Sequence, residues 1–215
     1  MKINHYKWKP KHATIIVGLT GTLSGGKTTL AKYLQKLGAK VLDADKTALS
    51  QLEKGKLVYR EISRKFGKQT LNSDGTINKN FLAEKIFSNP STRKWLENLI
   101  HPYVLKEFKS TIEKTKNKII ICDIPLLFER NLDNWFDLTV CVTSKRSVRL
   151  ERAQKKGWST RQFNERMRSQ LPEKEKIKRS DILIDNSGSL SELRKKAERI
   201  YKTIKTINQE NKNAK

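Results

Sequence analysis

Several things are scarce in this chain of 215 residues, and each shortage narrows its reading. Cysteine occurs only as Cys122 and Cys141, both inside apolar, strand-like runs. Buried free thiols in a reducing, cytoplasmic setting are therefore expected, rather than a disulfide framework or a cysteine metal site. No apolar run approaches the ~18 residues that a membrane-spanning helix needs. The opening MKINHYKWKPKHA is basic but has no apolar core, so it does not read as a secretory signal. Acid is short as well: 22 Asp and Glu against 46 Lys and Arg leave a net charge of +24. The excess is concentrated at residues 145–180, where 13 cations face 4 acids. That run does not alternate with Phe and Tyr as a stacking platform for single strands requires, and no N-K-x-D guanine motif occurs. Nucleic acid is therefore not expected as a partner, and most of the excess reads as a solvated, lysine-rich surface.

What is present is concentrated in residues 14–45. The apolar run Thr14 to Leu19 reads as a buried strand, and Gly21-Thr22-Leu23-Ser24-Gly25-Gly26-Lys27-Thr28 fits G-x-x-x-x-G-K-[ST]. Leu30, Leu34 and Leu37 then recur at helical spacing, with Gly38 as the C-terminal stop. A short strand from Lys40 to Leu42 leads into Asp43-Ala44-Asp45. Strand, glycine turn, helix, strand is the setting in which such a turn grips phosphate. Successive amides and the helix N-terminus converge on the anion, Lys27 reaches the β- and γ-phosphates, and the Thr28 hydroxyl ligates Mg²⁺.

The regular alternation stops after Asp45. Residues 46–117 read as mostly helical, and Trp95, Leu99, Tyr103 with Leu96, Ile100, Val104, Phe108 form a double stripe of one buried face. Pro102 lies inside that stripe, so a kink or break near His101 is expected. Ile119-Ile120-Ile121-Cys122-Asp123 is the next strand. Its terminal carboxylate reads either as a Walker B acid serving Mg²⁺ or as a cap on the loop before Pro125. Leu138 to Val142 and Ile182 to Ile184 complete five strands, and Ser189-Leu190-Ser191-Glu192 matches a capping box opening the last helix. The pattern predicts an α/β fold: a five-stranded parallel sheet in a three-layer sandwich, with ligands at the C-terminal strand ends. The expected division is a basic extension (1–13), core segments 14–45, 118–144 and 181–207, a helical insertion for an acceptor (46–117), a lid (145–180) and a frayed tail (208–215).

Taken together these residues resemble the dephospho-coenzyme A kinase family. The likeness runs from about Ile15 to Tyr201 through GLTG…GKTT, LGAKVLDAD, DGTIN, IFSNP, HPYV, DIPLLFE, RLER, RMRSQ and ILIDNSG. It implies a nucleoside-monophosphate-kinase-like P-loop fold with a coenzyme-binding insertion and a lid. The implied reaction is ATP- and Mg²⁺-dependent phosphorylation of the ribose 3′-hydroxyl of dephospho-coenzyme A, by a protein expected to be a cytoplasmic monomer. The resemblance assigns Ser24, Gly25, Gly26, Lys27, Thr28 and Thr29 to the ATP phosphates. It makes Asp45, at the end of the strand next to the phosphate turn, the catalytic base, Arg152 a lid arginine, and His101 and Pro102 acceptor-side residues. Blander readings stand beside these: Asp45 as the N-cap of the following helix, Arg152 as a solvated helix residue, His101 as structural. Two departures are visible. The family usually has G-G-I-G-S-G-K-S, so one glycine has moved here, and Lys155 or Lys156 stands where a second lid arginine is common.

Overall fold

In the computed structural model, Ile15–Gly21 form β1, a strand buried along its whole length. The structure describes residues 14–116 and 118–213, so the basic extension and the last two residues of the tail lie outside it. From β1 the chain enters the glycine turn, then α1 (Lys27–Lys36) and β2 (Lys40–Asp43). β3 (Ile119–Asp123), β4 (Leu138–Thr143) and β5 (Ile182–Asp185) complete a sheet ordered β2-β3-β1-β4-β5, with every pairing parallel. Alternation decides the two faces. Ile15, Val17 and Leu19 join Leu30 and Leu34 of α1 in one core. Leu193, Ala197, Ile200 and Ile204 of α9 (Leu190–Asn213) complete it. Gly18 faces the other side, where a Cβ would collide with Leu127 and Phe136, so the layer over that face sits directly on the strand.

The chain divides into two compact units, and Ala44–Thr111 is the second. It contains α2 (Ala44–Ser50), α3 (Leu57–Phe66), α4 (Lys79–Ser88) and most of α5 (Pro90–Lys114). Its own core gathers Val58, Ile62, Ile77, Leu82 and Leu96, with Trp95, Leu99, Ile100 and Tyr103 of the stripe packed against it. Phe66 meets the Trp95 ring edge-on at 5.8 Å. The D-G-T-I-N segment is a tight turn: Asp74 Oδ1 accepts from the Thr76 amide at 2.8 Å and hydroxyl at 2.7 Å, and Asn78 caps α4. Those bonds hold the exposed Asp74 carboxyl below its ordinary range.

The segment 145–180 forms α6 (Arg146–Gln154), α7 (Thr160–Arg168) and α8 (Glu173–Arg179). Ser189 and Glu192 make the reciprocal bonds of the capping box. Three expectations are corrected. α5 runs through Pro102 without a break, and stripe residues on both sides of it, Leu99, Ile100 and Tyr103, are anchored in one core. The tail stays helical from 208 to 213, where Asn208 is buried and Ile207 packs on the sheet core. β2 lies beside β3, not beside β1 and its phosphate turn.

Candidate active site

The turn after β1 runs from Thr22 to Gly26 and leads directly into α1. Ser24 takes φ 57° and Gly26 takes φ 101°, so one of the turn's two left-handed steps falls on a serine. Gly25 is buried, and a Cβ on it would meet the Val142 carbonyl at 2.8 Å and Thr22 Oγ1 at 2.9 Å. The Thr22 side chain thus occupies space that a residue-25 side chain would need. Leu30 and Thr29 amides return to the Gly26 carbonyl, so α1 starts at Lys27 with its first amides at the turn. Thr28 is exposed in that first turn and Thr29 half-buried.

Lys27 and Asp123 form an ion pair, which joins the phosphate-loop lysine to the acid at the end of β3. Asp123 is 4% exposed and stands in register with Asp43 on β2. Carboxylates from two strands therefore share the C-terminal edge of the sheet. Arg152 is engaged rather than solvated: its guanidinium donates to the Asn186 carbonyl at 2.9 Å, to Ser144 Oγ at 3.3 Å and to the Gly25 carbonyl at 3.4 Å. Lys155 pairs instead with Glu151 on an exposed helix face and Lys156 is exposed, so of these three Arg152 is the one whose side chain is hydrogen-bonded to the Gly25 carbonyl. Within the sheet unit the structure thus brings Ser24–Thr29, Asp123 and Arg152 together.

Asp45, His101 and Pro102 belong to the helical unit. β2 stops at Asp43, its last pairing with β3, and the chain turns at once into α2. Asp45 is therefore in the first turn of α2, neither at a strand end nor as the N-cap of a helix beginning at Lys46. His101 and Pro102 sit on exposed positions of α5.

The family model for dephospho-CoA kinase (CoaE) matches residues 15–192. The chain belongs to the dephospho-CoA kinase family. It is 40% identical over 191 residues to a dephospho-CoA kinase of Fusobacterium nucleatum, covering 88% of this chain and 98% of that one. With the dephospho-CoA kinase of Aquifex aeolicus it shares 36% identity over 189 residues, 87% of this chain and 96% of the other. Among solved structures, TT1252 from Thermus thermophilus superposes with a TM-score of 0.77 at 31% identity, over 88% of this chain and 97% of that one. A dephospho-CoA kinase from Campylobacter jejuni superposes at 0.67 with 27% identity, over 91% and 99%.

In this dephospho-CoA kinase family member, sequence reasoning missed the residues that hold the loop from behind. Asn186 Nδ2 donates to the Gly25 carbonyl at 2.8 Å, and Thr22 donates its amide to the Val142 carbonyl at 2.9 Å. Asn186 lies inside the quoted I-L-I-D-N-S-G motif, a signal without an assigned role. Among the described residues no group of three or more His, Cys, Asp or Glu gathers as a metal site. Mg²⁺ does not need one: it keeps waters and substrate phosphates and takes one or two protein oxygens. The Thr28 hydroxyl and the Asp123 carboxylate, both hard oxygen donors at the loop, fit that demand.

Proposed function

We propose that this chain transfers the γ-phosphoryl group of ATP to the ribose 3′-hydroxyl of dephospho-coenzyme A, releasing ADP and coenzyme A. The observation that carries this reading is the phosphate loop and its Lys27–Asp123 pair, in a chain matched to the family from residue 15 to 192. The loop amides from Ser24 to Thr29 and the start of α1 receive the phosphates. Lys27 exchanges its Asp123 contact for the β- and γ-oxygens as the nucleotide enters. Thr28 and Asp123 would hold Mg²⁺, which when bound neutralises charge across those same phosphates.

Asp45 accepts the proton of the 3′-hydroxyl as its oxygen bonds to Pγ and the bond from Pγ to the bridging oxygen of ADP breaks. Arg152 stabilises charge on the transferring group, and His101 and Pro102 serve the acceptor side in the 46–117 insertion. The lid is the 145–180 segment, in which Arg149 ties α6 to Glu173 at the start of α8 and the buried Lys176 ties α8 to Glu129. The same reading makes the protein a cytoplasmic monomer whose partners are ATP and dephospho-coenzyme A, not nucleic acid. No described helix is long and apolar enough to cross a membrane.

Incubation with ATP, Mg²⁺ and dephospho-coenzyme A, followed by mass spectrometry of the acceptor, tests the proposal. Coenzyme A phosphorylated at the 3′ position is expected. Folded, nucleotide-binding protein that yields none, or that prefers a nucleoside monophosphate, refutes it.

A further inference from the structure

A turn that points its amides at an anion must point carbonyls the other way, into protein, where each needs a donor. The Gly25 carbonyl has Asn186. The Gly21 carbonyl, at the first residue of the motif, accepts from Lys176 Nζ at 3.3 Å. Lys176 comes from α8, far along the chain, and its side chain is only 1% exposed. Its ammonium has three protons and three acceptors: the Gly21 carbonyl, Glu129 Oε1 at 2.8 Å and Gln170 Oε1 at 3.3 Å. Glu129 Oε1 also accepts from the Leu171 amide at 3.0 Å, while its Oε2 is buried without a hydrogen-bond partner.

A pair of this kind is a poor device for stability alone. Removing two charges from water costs several kcal/mol per ion, about what their attraction returns, and apolar residues of like volume often do as well. An orphaned carboxylate oxygen makes the balance worse. The arrangement makes sense if the ammonium is needed where it sits, on the loop carbonyl.

We propose that Lys176 is a positioning residue for phosphoryl transfer: it holds the Gly21 carbonyl from behind and so sets the path of the Ser24–Thr29 amides, with Glu129 as its counter-ion. This rests on the reading of the turn as the ATP phosphate loop. Lys176 touches neither substrate. Its effect is on nucleotide affinity, through the backbone.

The test removes both charges together. Glu129→Leu with Lys176→Met replaces the pair by apolar side chains, and Glu129→Gln with Lys176→Gln replaces it by neutral polar ones too short to reach Gly21. ADP affinity is measured by calorimetric titration, alongside the melting temperature and the KM values for ATP and dephospho-coenzyme A. Expected is a double variant melting within a few degrees of the parent, yet binding ADP about tenfold more weakly, the loss of one charge-assisted hydrogen bond. Its KM for ATP should rise in step while that for the acceptor holds. A folded double variant with parental ADP affinity overturns the proposal, and so does failure of both double variants to fold, which would make the pair a requirement of the fold. Parental protein that binds no ADP at all overturns the phosphate-loop reading, and this one with it.

Discussion

The two stretches that interrupt the βα alternation bury themselves in opposite ways. Residues 44–111 close over aliphatic and aromatic side chains, and the ion pairs Arg64–Glu61 and Arg93–Glu97 lie along the surfaces of α3 and α5. Residues 145–180 have little apolar material to bury, chiefly Ala153 and Phe163, and are fastened by charge instead. Arg149 meets Glu173 at 2.6 Å, Lys176 meets Glu129 at 2.8 Å, and Arg179 meets Asp133 at 2.7 Å while also donating to the Phe128 carbonyl. The difference teaches where a strongly basic segment can keep its charges. Arg149, Lys176 and Arg179 become structural by finding carboxylates and carbonyls, Arg152 by finding the Gly25 and Asn186 carbonyls, while others such as Lys155 and Arg161 keep to exposed helix faces.

The comparison breaks first if the helical unit does not depend on its apolar core. Ile62 is fully buried there, and Ile62→Ala should cost about 3–4 kcal/mol in urea unfolding, the transfer loss plus the cavity left behind. Limited proteolysis should then cut between 44 and 111 first, with ADP still bound. Simultaneous loss of ADP binding would mean that the two stretches do not stabilise separately.

A pH series sharpens the contrast next. Cys141 on β4 is pushed up to about 11 by burial, with the Lys176 ammonium pulling it down and Glu173 and Glu129 adding to the rise. Its ordinary value is 9.0, so below that both folded and unfolded chains keep the proton. Between the two values the unfolded chain loses it first and stability falls as pH rises, by up to about 2–3 kcal/mol near the upper end. Cys141→Ala should flatten this part of the curve in urea midpoints taken from pH 7 to 11. Parallel curves for parent and variant would refute the assignment. Cys122 is raised further still, so its contribution is common to both proteins.

What could be read in advance follows the same division. The phosphate loop, the five parallel strands and the stripe on α5 were legible because each is a local pattern: a motif, an apolar run, a 3.6-residue period. Lys176 was one of 13 cations in its segment, and nothing in the spacing marks the one that reaches Gly21. Asn186 stood in a quoted motif, but its bond to Gly25 joins chain positions that only the sheet order brings together. Asp45 was misplaced by two residues of strand. Where β2 ends depends on its pairing with β3, and Asp43 is the last residue that pairing reaches.

Smaller effects rank the ties themselves. Arg149 is 3% exposed and Glu173 about a third exposed, so Arg149→Met leaves a carboxylate that water can reach. It also removes a buried Nε that has no acceptor. The usual penalty for breaking a buried pair is thus cut from both sides, and a loss of about 1 kcal/mol in urea unfolding is expected. A loss above about 3 kcal/mol would show that Glu173, which also accepts from the Thr143 hydroxyl, depends on Arg149 for its place.

Lys155→Ala sets the lower end of the scale. Lys155 pairs with Glu151 one turn away on α6, both side chains are mostly in water, and that contact holds the Glu151 carboxyl below its ordinary range. A lowered carboxyl of this kind favours the fold above its unfolded value and loses that as pH falls through the folded one. Exposure and salt screen the effect, and holding two long side chains in one geometry offsets it with lost freedom. No measurable change in melting temperature is therefore expected at neutral pH and physiological salt. A clear drop would mean that even the solvated cations of this segment carry structure, and the line drawn between its tied and untied charges would have to move.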